Sequence, residues 1–407
     1  MACSVPNGNV AGMNSLTDQA LGKGDLTTDV WGVQKVSLPY SLFHGMWTFD
    51  IPETMWFMYE NGTQVYSSTR IASTGGVAKV SADATVTTAR LESRECPRYQ
   101  PNRGHLFSTA GWFPNKTADG VRDFGLFTNE NGVFFRLKAD GKLYAVRRSG
   151  GVEVYEEEIN TSVLTGFNVE KSNIYDIQFQ WRSAGNYNFY IGDPAAGVSK
   201  LVHQIALLGT LTAASVENPA LPVAYKATRT TQDVSMYIGC ADVTSENGRD
   251  NVLQYASAYS ENVAINGSNV PAIAIKSPLL INSKTNTRQI MLARISFTCS
   301  KKAVFKVWTT RDPTALTGAT FQNINNGSFT ETDSPDTATG AVRATASDPT
   351  KMRFVIAVPV EAAVTRLVDN PNPDKIAFNV VRGDYIVVTC TASTALADVV
   401  VEWGEYI

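Results

Sequence analysis

Glutamate is concentrated in one short stretch of this chain: Glu153, then Glu156, Glu157 and Glu158. Two carboxyl groups about 5–10 Å apart are what glycoside hydrolysis needs, one as acid and one as base or nucleophile. On a strand, Glu156 and Glu158 share a face. Glu157 then falls on the opposite face, where a catalytic strand needs apolar residues, so the run reads as a solvated strand edge. The three histidines, His44, His105 and His203, lie far apart and match no metal-ligand spacing. No G-x-S-x-G marks a nucleophilic serine. The expectation is a protein with no catalytic residues, no metal and no cofactor, and therefore not an enzyme.

A second constellation is polar rather than acidic. Residues 174–182 alternate at period two, with Tyr175, Ile177, Phe179 and Trp181 on one face and Asp176, Gln178, Gln180 and Arg182 on the other. The pattern predicts a strand with one buried and one wet face. Amides, carboxylates and aromatic rings are what hydroxyl-rich ligands require. Asp176, Gln178, Gln180 and Arg182, with Tyr190 from the following strand, are thus the candidate glycan-binding residues. The alternative is an ordinary sheet face or a subunit contact. Arg382-Gly383-Asp384 is read as a strand-to-strand turn, because glycine tolerates positive φ, and not as an integrin motif.

Both constellations need strands to carry them, and strand signals dominate. Residues 132–137 and 142–147 flank Asp140-Gly141, a strong hairpin signal. Residues 174–182 and 187–191 form a second hairpin around a short turn. Further strands are expected at 55–59, 106–113, 121–127, 152–159 and 234–238, then at 290–299, 303–309, 352–360, 376–381, 385–391 and 399–403. One turn of helix is expected within 200–217. Segment 317–350 is rich in Gly, Ser, Thr and Asp and reads as a long surface loop. Segment 241–271 is rich in Ser, Asn, Glu and Gly and reads as a linker with one strand at most. The fold class is all-β. The expected domains are an extended N-terminal arm (1–45), a jelly-roll domain (46–240), a linker (241–271) and a C-terminal β-sandwich (272–407).

Composition narrows the partners. With 43% hydrophobic and 18% charged residues in 407, the chain has material for real cores. A net charge of −3 supplies no electrostatic pull toward nucleic acid or an anionic membrane. No apolar run approaches the roughly 20 residues that span a bilayer, and residues 1–20 lack the features of a secretory signal. Five scattered cysteines, Cys3, Cys96, Cys240, Cys299 and Cys390, read as buried thiols in a reducing compartment. The chain carries 7 Trp, 15 Tyr and 18 Phe, and Trp31, Trp47 and Trp56 fall outside the best strands. They are expected between subunits, where aromatics are enriched, in a homo-oligomer such as a trimer.

Certain ordered motifs carry a resemblance. Arg98-Tyr99-Gln100-Pro101-Asn102-Arg103-Gly104-His105 precedes an apolar strand. Gly125-Leu126-Phe127, Asn131-Gly132-Val133-Phe134-Phe135, Ile177-Gln178-Phe179-Gln180-Trp181 and Leu221-Pro222-Val223 follow in turn. Over residues 90–240 this series resembles a lectin-like, concanavalin-type jelly-roll domain that recurs in structural proteins of tailed bacteriophages. The run from Arg382-Gly383-Asp384-Tyr385 to Val401-Glu402-Trp403-Gly404-Glu405 resembles the closing hairpin of small β-sandwiches in phage appendages. The resemblance implies a virion structural protein of head surface, neck or tail appendage. Such a protein is assembled in the host cytoplasm and held by contacts with itself and with other virion proteins. Neither motif set is catalytic, so no active site is implied. The alternatives are a module that binds host surface glycan and, behind it, an enzyme that cuts host polysaccharide.

Overall fold

Period-two alternation becomes antiparallel strands throughout this computed structural model, which describes residues 39–406 apart from 101–102, 182–184, 247–252, 282, 289, 320, 324–330, 334–343, 345 and 370–378. The chain divides into two units, Met1–Asp250 and Asn251–Ile407. In the first unit the strands are β1 (Pro39–Met46), β2 (Trp56–Glu60), β3 (Thr63–Val65), β4 (Ile71–Thr74), β5 (Val77–Ala82), β6 (Thr88–Ser93), β7 (His105–Trp112) and β8 (Gly120–Phe127). Then follow β9 (Gly132–Leu137), β10 (Leu143–Ser149), β11 (Val152–Glu158), β12 (Asn173–Phe179), β13 (Tyr187–Asp193), β14 (Val198–Ile205), β15 (Val223–Arg229) and β16 (Val234–Glu246). They form two eight-stranded sheets. One runs β14-β13-β12-β7-β16-β5-β4, with β1 also on β16; the other runs β11-β10-β9-β8-β15-β6-β2-β3. This is a jelly roll of the concanavalin-like kind.

The inward positions of both sheets meet in one aromatic core. Phe124 stacks on Phe113 and Phe135 at 4.7 and 5.1 Å, and Tyr175 meets all three edge-on. Edge and face contacts of this kind add to the area term that holds the sheets together. Tyr175, Ile177 and Phe179 lie on the core side of β12 as the alternation requires, and Trp181 is half-buried at the end of the row. Both expected hairpins form. In the first, residues 138–142 connect Leu137 to Leu143, with Gly141 at φ +76°.

The second unit is a β-sandwich built on two very long strands. β17 (Leu253–Lys276, 24 residues) pairs with Tyr385–Tyr406 along nearly all its length, with four register shifts. The other side of Tyr385–Tyr406 takes Ala303–Thr310 along its first half and Ile290–Cys299 along its second. The core includes Ile265, Ile273, Ile295, Phe297, Phe305, Val388 and Trp403. Cys299 and Cys390 lie in it as thiols, and burial pushes Cys390 up to about 12.

Several expectations are corrected here. Residues 241–246 complete β16 and 253–271 belong to β17, so segment 241–271 is largely strand. The buried apolar residues of its β17 part include Ala256, Ala258, Val263 and Ile265, small or spaced by a register shift, so their alternation is weak in the sequence. Residues 39–45 of the expected arm are β1; residues 1–38 lie outside the described residues. The 200–217 region opens with β14 and holds no helical turn.

Trp47 and Trp56 are 0% and 2% exposed within one chain, where they pack on each other at 5.3 Å and on Tyr225. They serve this unit's own core rather than a subunit boundary; Trp31 lies outside the described residues. Trp47→Ala is therefore expected to cost about 3–5 kcal/mol. Urea unfolding of dilute protein, below any association, should show the loss in full. A loss that appeared only at assembling concentrations would return Trp47 to an interface.

Candidate functional site

Seven strands of the second sheet carry one row of side chains across its outer face. Cross-strand pairing sets Tyr59 beside Arg90, then Lys226, Asp123, Arg136, Tyr144 and Glu158 in turn. The parallel row one step along is Phe57, Glu92, Ala224, Gly125, Phe134, Val146 and Glu156. Only glycine fits at position 125, because a Cβ there would lie 2.7 Å from the Cα of Phe134. The third row holds Phe127, Gly132, Arg148 and Glu153. Glu153 reaches this face through a register shift between Arg147 and Arg148. Such a bulge reverses the parity of the strand.

Arg136 is the hub. It grips Asp123 with Nε and Nη2 at 2.7 and 3.0 Å, and Glu153 with Nη1 and Nη2 at 2.6 and 2.7 Å. Glu156 accepts from Arg136 at 3.1 Å and from Lys138 at 2.7 Å. Arg148 joins Glu153 at 2.7 Å, and Arg90 pairs with Glu92. Guanidinium forks suit such two-point contacts. The same cations cover the aromatics: Arg90 lies over Phe127, and Arg136 and Arg148 lie over Phe134, at 5.1–5.4 Å. Phe127 and Phe134 are fully buried as a result, in a small cluster of their own.

Electrostatically the face is occupied by its own counter-charges. Hydrogen bonds from Arg136, with those from Arg148, hold Glu153 down to about 2 against the opposing effect of burial. A glycosidase acid needs the reverse, a carboxyl held protonated. Lys226 differs from its neighbours. It stands half-buried between Arg90 and Asp123 and makes no hydrogen bond or ion pair among the described residues. Burial lowers its ammonium.

The glutamate run is where the sequence put it, on an edge strand. β11 ends the second sheet and is exposed along most of its length. Glu156 and Glu158 share a face, while Glu157 turns away to accept from the Tyr155 hydroxyl. That hydroxyl also meets Nε2 of His203 at 2.8 Å. The contact joins β11 of one sheet to β14 of the other, and no sequence signal announced it. Arg382-Gly383-Asp384 is a turn as expected, with Gly383 at φ +78° and Arg382 buried. Among the described residues no three metal-ligating side chains come together.

The expected glycan-binding face is corrected. Asp176, Gln178, Gln180 and Tyr190 do lie on the outer side of the first sheet, but each is 3% exposed or less. Asp176 accepts from Ser108 at 2.5 Å and Ser199 at 2.9 Å; Gln178 accepts from the Tyr190 hydroxyl at 3.1 Å. Gln204 and Asn188 extend this network at 2.8 Å. Polar residues that satisfy one another can be buried, and alternation reports polarity, not exposure. Arg182 lies outside the described residues.

No family model matches the sequence, and no curated protein matches it. Among solved structures, the chain is similar to an endo-acting O-glycanase that members of the human gut microbiota express to initiate mucin breakdown. Identity is 10%, over 51% of this chain and 100% of that one, with a TM-score of 0.38. It is similar to a glycosyl hydrolase family protein from Mycobacterium fortuitum at 16% identity, over 50% and 99% of the chains, with a TM-score of 0.37. It is also similar to lectin I of Ulex europaeus, solved with the methyl glycoside of α-L-fucose. There identity is 10%, over 50% and 99% of the chains, with a TM-score of 0.34.

The ion pairs set two expectations. Arg136→Met strands Asp123, which is 3% exposed, and should cost about 3–5 kcal/mol in urea unfolding. Glu153 titrates lower when folded, about 2 against an ordinary 4.5. Its contribution is therefore complete above pH 4.5 and fades as pH falls toward 2. The stability gap between the native chain and Glu153→Gln should close over that window. A gap that widened there would reverse the assignment.

Proposed function

We propose that this chain is a non-catalytic structural subunit of a tailed-phage particle, held by contacts with copies of itself and with other virion proteins. The observation that carries the structural part is the pairing on the second sheet. Asp123, Glu92, Glu153 and Glu156 each face a cation at contact distance, which makes a stiff, neutralised surface and leaves no acid–base pair. Charges consumed in this way hold strands together; they do not turn over substrate. The placement in a virion rests on the resemblance of residues 90–240 and of the C-terminal hairpin to phage structural domains. Nothing in this reading calls for a cofactor, and cleavage of polysaccharide is disfavoured by the same pairing.

A second reading, binding of host glycan, has one specific observation behind it. Lys226 is an unpaired cation in a row that has Tyr59 at one end and Tyr144 toward the other. Such a row suits an acidic sugar, with the ammonium on the carboxylate and the rings beside the pyranose faces.

Immunogold labelling of purified particles separates these. Antibody against the chain should decorate intact virions at a repeated position, and the purified chain should release no reducing sugar from host capsule. Particles that carry no label would end the virion reading. Retention on an acidic-glycan array that Lys226→Ala abolishes would move the function to the second reading.

A further inference from the structure

Among the described residues of the second unit, strand Arg353–Val360 is paired on one side only, to Ala303–Thr310, and none of its residues has another hydrogen-bonding partner there. Its sequence, Arg-Phe-Val-Ile-Ala-Val-Pro-Val, carries no charge after the first residue. Natural sheets guard such edges with charged side chains, as β11 does with its glutamates, or with proline. Here Pro359 is the only guard. The core is also unfinished at this edge: Val355, Ile356 and Val358 pack against it yet stay half-buried, and Phe354 is 51% exposed.

We propose that this edge pairs with the same edge of a second copy of the chain, antiparallel, about a two-fold axis through Ala357. Three features of the strand select that partner and register. Proline has no amide hydrogen, so within a sheet it occupies positions whose amide points away from the neighbouring strand. Pro359 thus faces its nitrogen outward, and Ala357, two residues back, faces its N–H and C=O the same way. Two copies of Ala357 then exchange both hydrogen bonds. In that register Ile356 lies beside Val358 of the second copy, both on the core side, and the half-buried row closes across the seam. The register shift at Val355 and the missing donor at Pro359 end the ladder on either side, so the seam is short.

The third feature is charge. Arg353 opens the strand and Glu361 follows it, the latter 60% exposed in its side chain and joined only to surface Lys302. Antiparallel pairing brings Arg353 of each copy toward Glu361 of the other. Parallel pairing would set like charges together. The two-fold arrangement is isologous and closes at two copies. It stands independently of the function proposed above.

Sedimentation equilibrium of the full chain tests it. The native chain should show a reversible monomer–dimer equilibrium. Ala357→Pro removes the outward amide and should leave only monomer, with the melting temperature of dilute protein unchanged. Arg353→Glu and Glu361→Arg should each weaken the dimer about tenfold, since symmetry removes two exposed ion pairs at once. The double variant should restore it. These two residues are on the surface, so the charge exchange stays readable even where Ala357→Pro fails to fold. A chain that remains monomeric at every concentration would overturn the proposal. So would a dimer indifferent to both the proline and the charge reversals, which would place the contact on another surface.

Discussion

A guanidinium taken out of water must keep its hydrogen bonds, and strand β8 is organised around two solutions to that constraint. On its inward side Arg122 is fully buried and donates to the carbonyl oxygens of Ser235, Pro114 and Asn115 at 2.9–3.1 Å. These carbonyls belong to the opposite sheet and the loop beside it, so one side chain ties the two sheets together. Burial pulls that guanidinium down to about 10, still far above neutrality, so it remains charged. On the outward side, one residue along, Asp123 binds Arg136, whose side chain is 11% exposed. The bulge that delivers Glu153, the glycine at 125 and the aromatic floor of Phe134 all follow from housing Arg136. Removing one partner of such a set costs far more than the set contributes, which makes it a fixed structural element.

The two outer faces of the jelly roll use opposite chemistries for the same end. On the first sheet hydrogen bonds serve that end: Ser108 and Ser199 donate to Asp176, Tyr190 to Gln178 and Gln204 to Asn188. On the second, ion pairs do so. In neither case do the polar outward residues leave an open platform for a ligand. Lys226 is the exception among the described residues, and it is the position at which a bound anion would complete the pairing pattern rather than disrupt it.

What the sequence made legible follows from periodicity. Tyr175, Ile177 and Phe179 alternate with polar neighbours, so the strand, its hairpin and its buried face could all be read. The paired aromatics and the Asp140-Gly141 turn made β9 and β10 equally plain. β17 escaped because its first buried positions are small: Ala256 and Ala258 alternate with Ser257 and Tyr259, and a residue such as alanine scarcely differs in hydropathy from a loop residue. The face carrying Asp176 and Gln178 is legible as polar but not as buried, since a hydrogen bond to Ser199 or Tyr190 leaves no trace in local pattern. The row of Arg90, Lys226, Asp123 and Arg136 was missed for the same reason. Its members come from four strands spread over more than a hundred residues, and only the register brings them side by side.

The aromatic content of the chain first pointed to association, and the structure moves that argument elsewhere. Trp47 and Trp56 are consumed within the first unit, packed with Tyr225 under β2 and β1. An interface must then be sought where apolar surface and unpaired backbone coincide. β11 ends its sheet and so has an open backbone edge, but its glutamates are solvated or ion-paired and would repel a second copy. The strand Arg353–Val360 meets both conditions. It presents an unpaired backbone edge flanked by a core that stops at half-buried valine and isoleucine. Such an edge is suited to strand addition, in which the backbone supplies affinity and the flanking residues supply register.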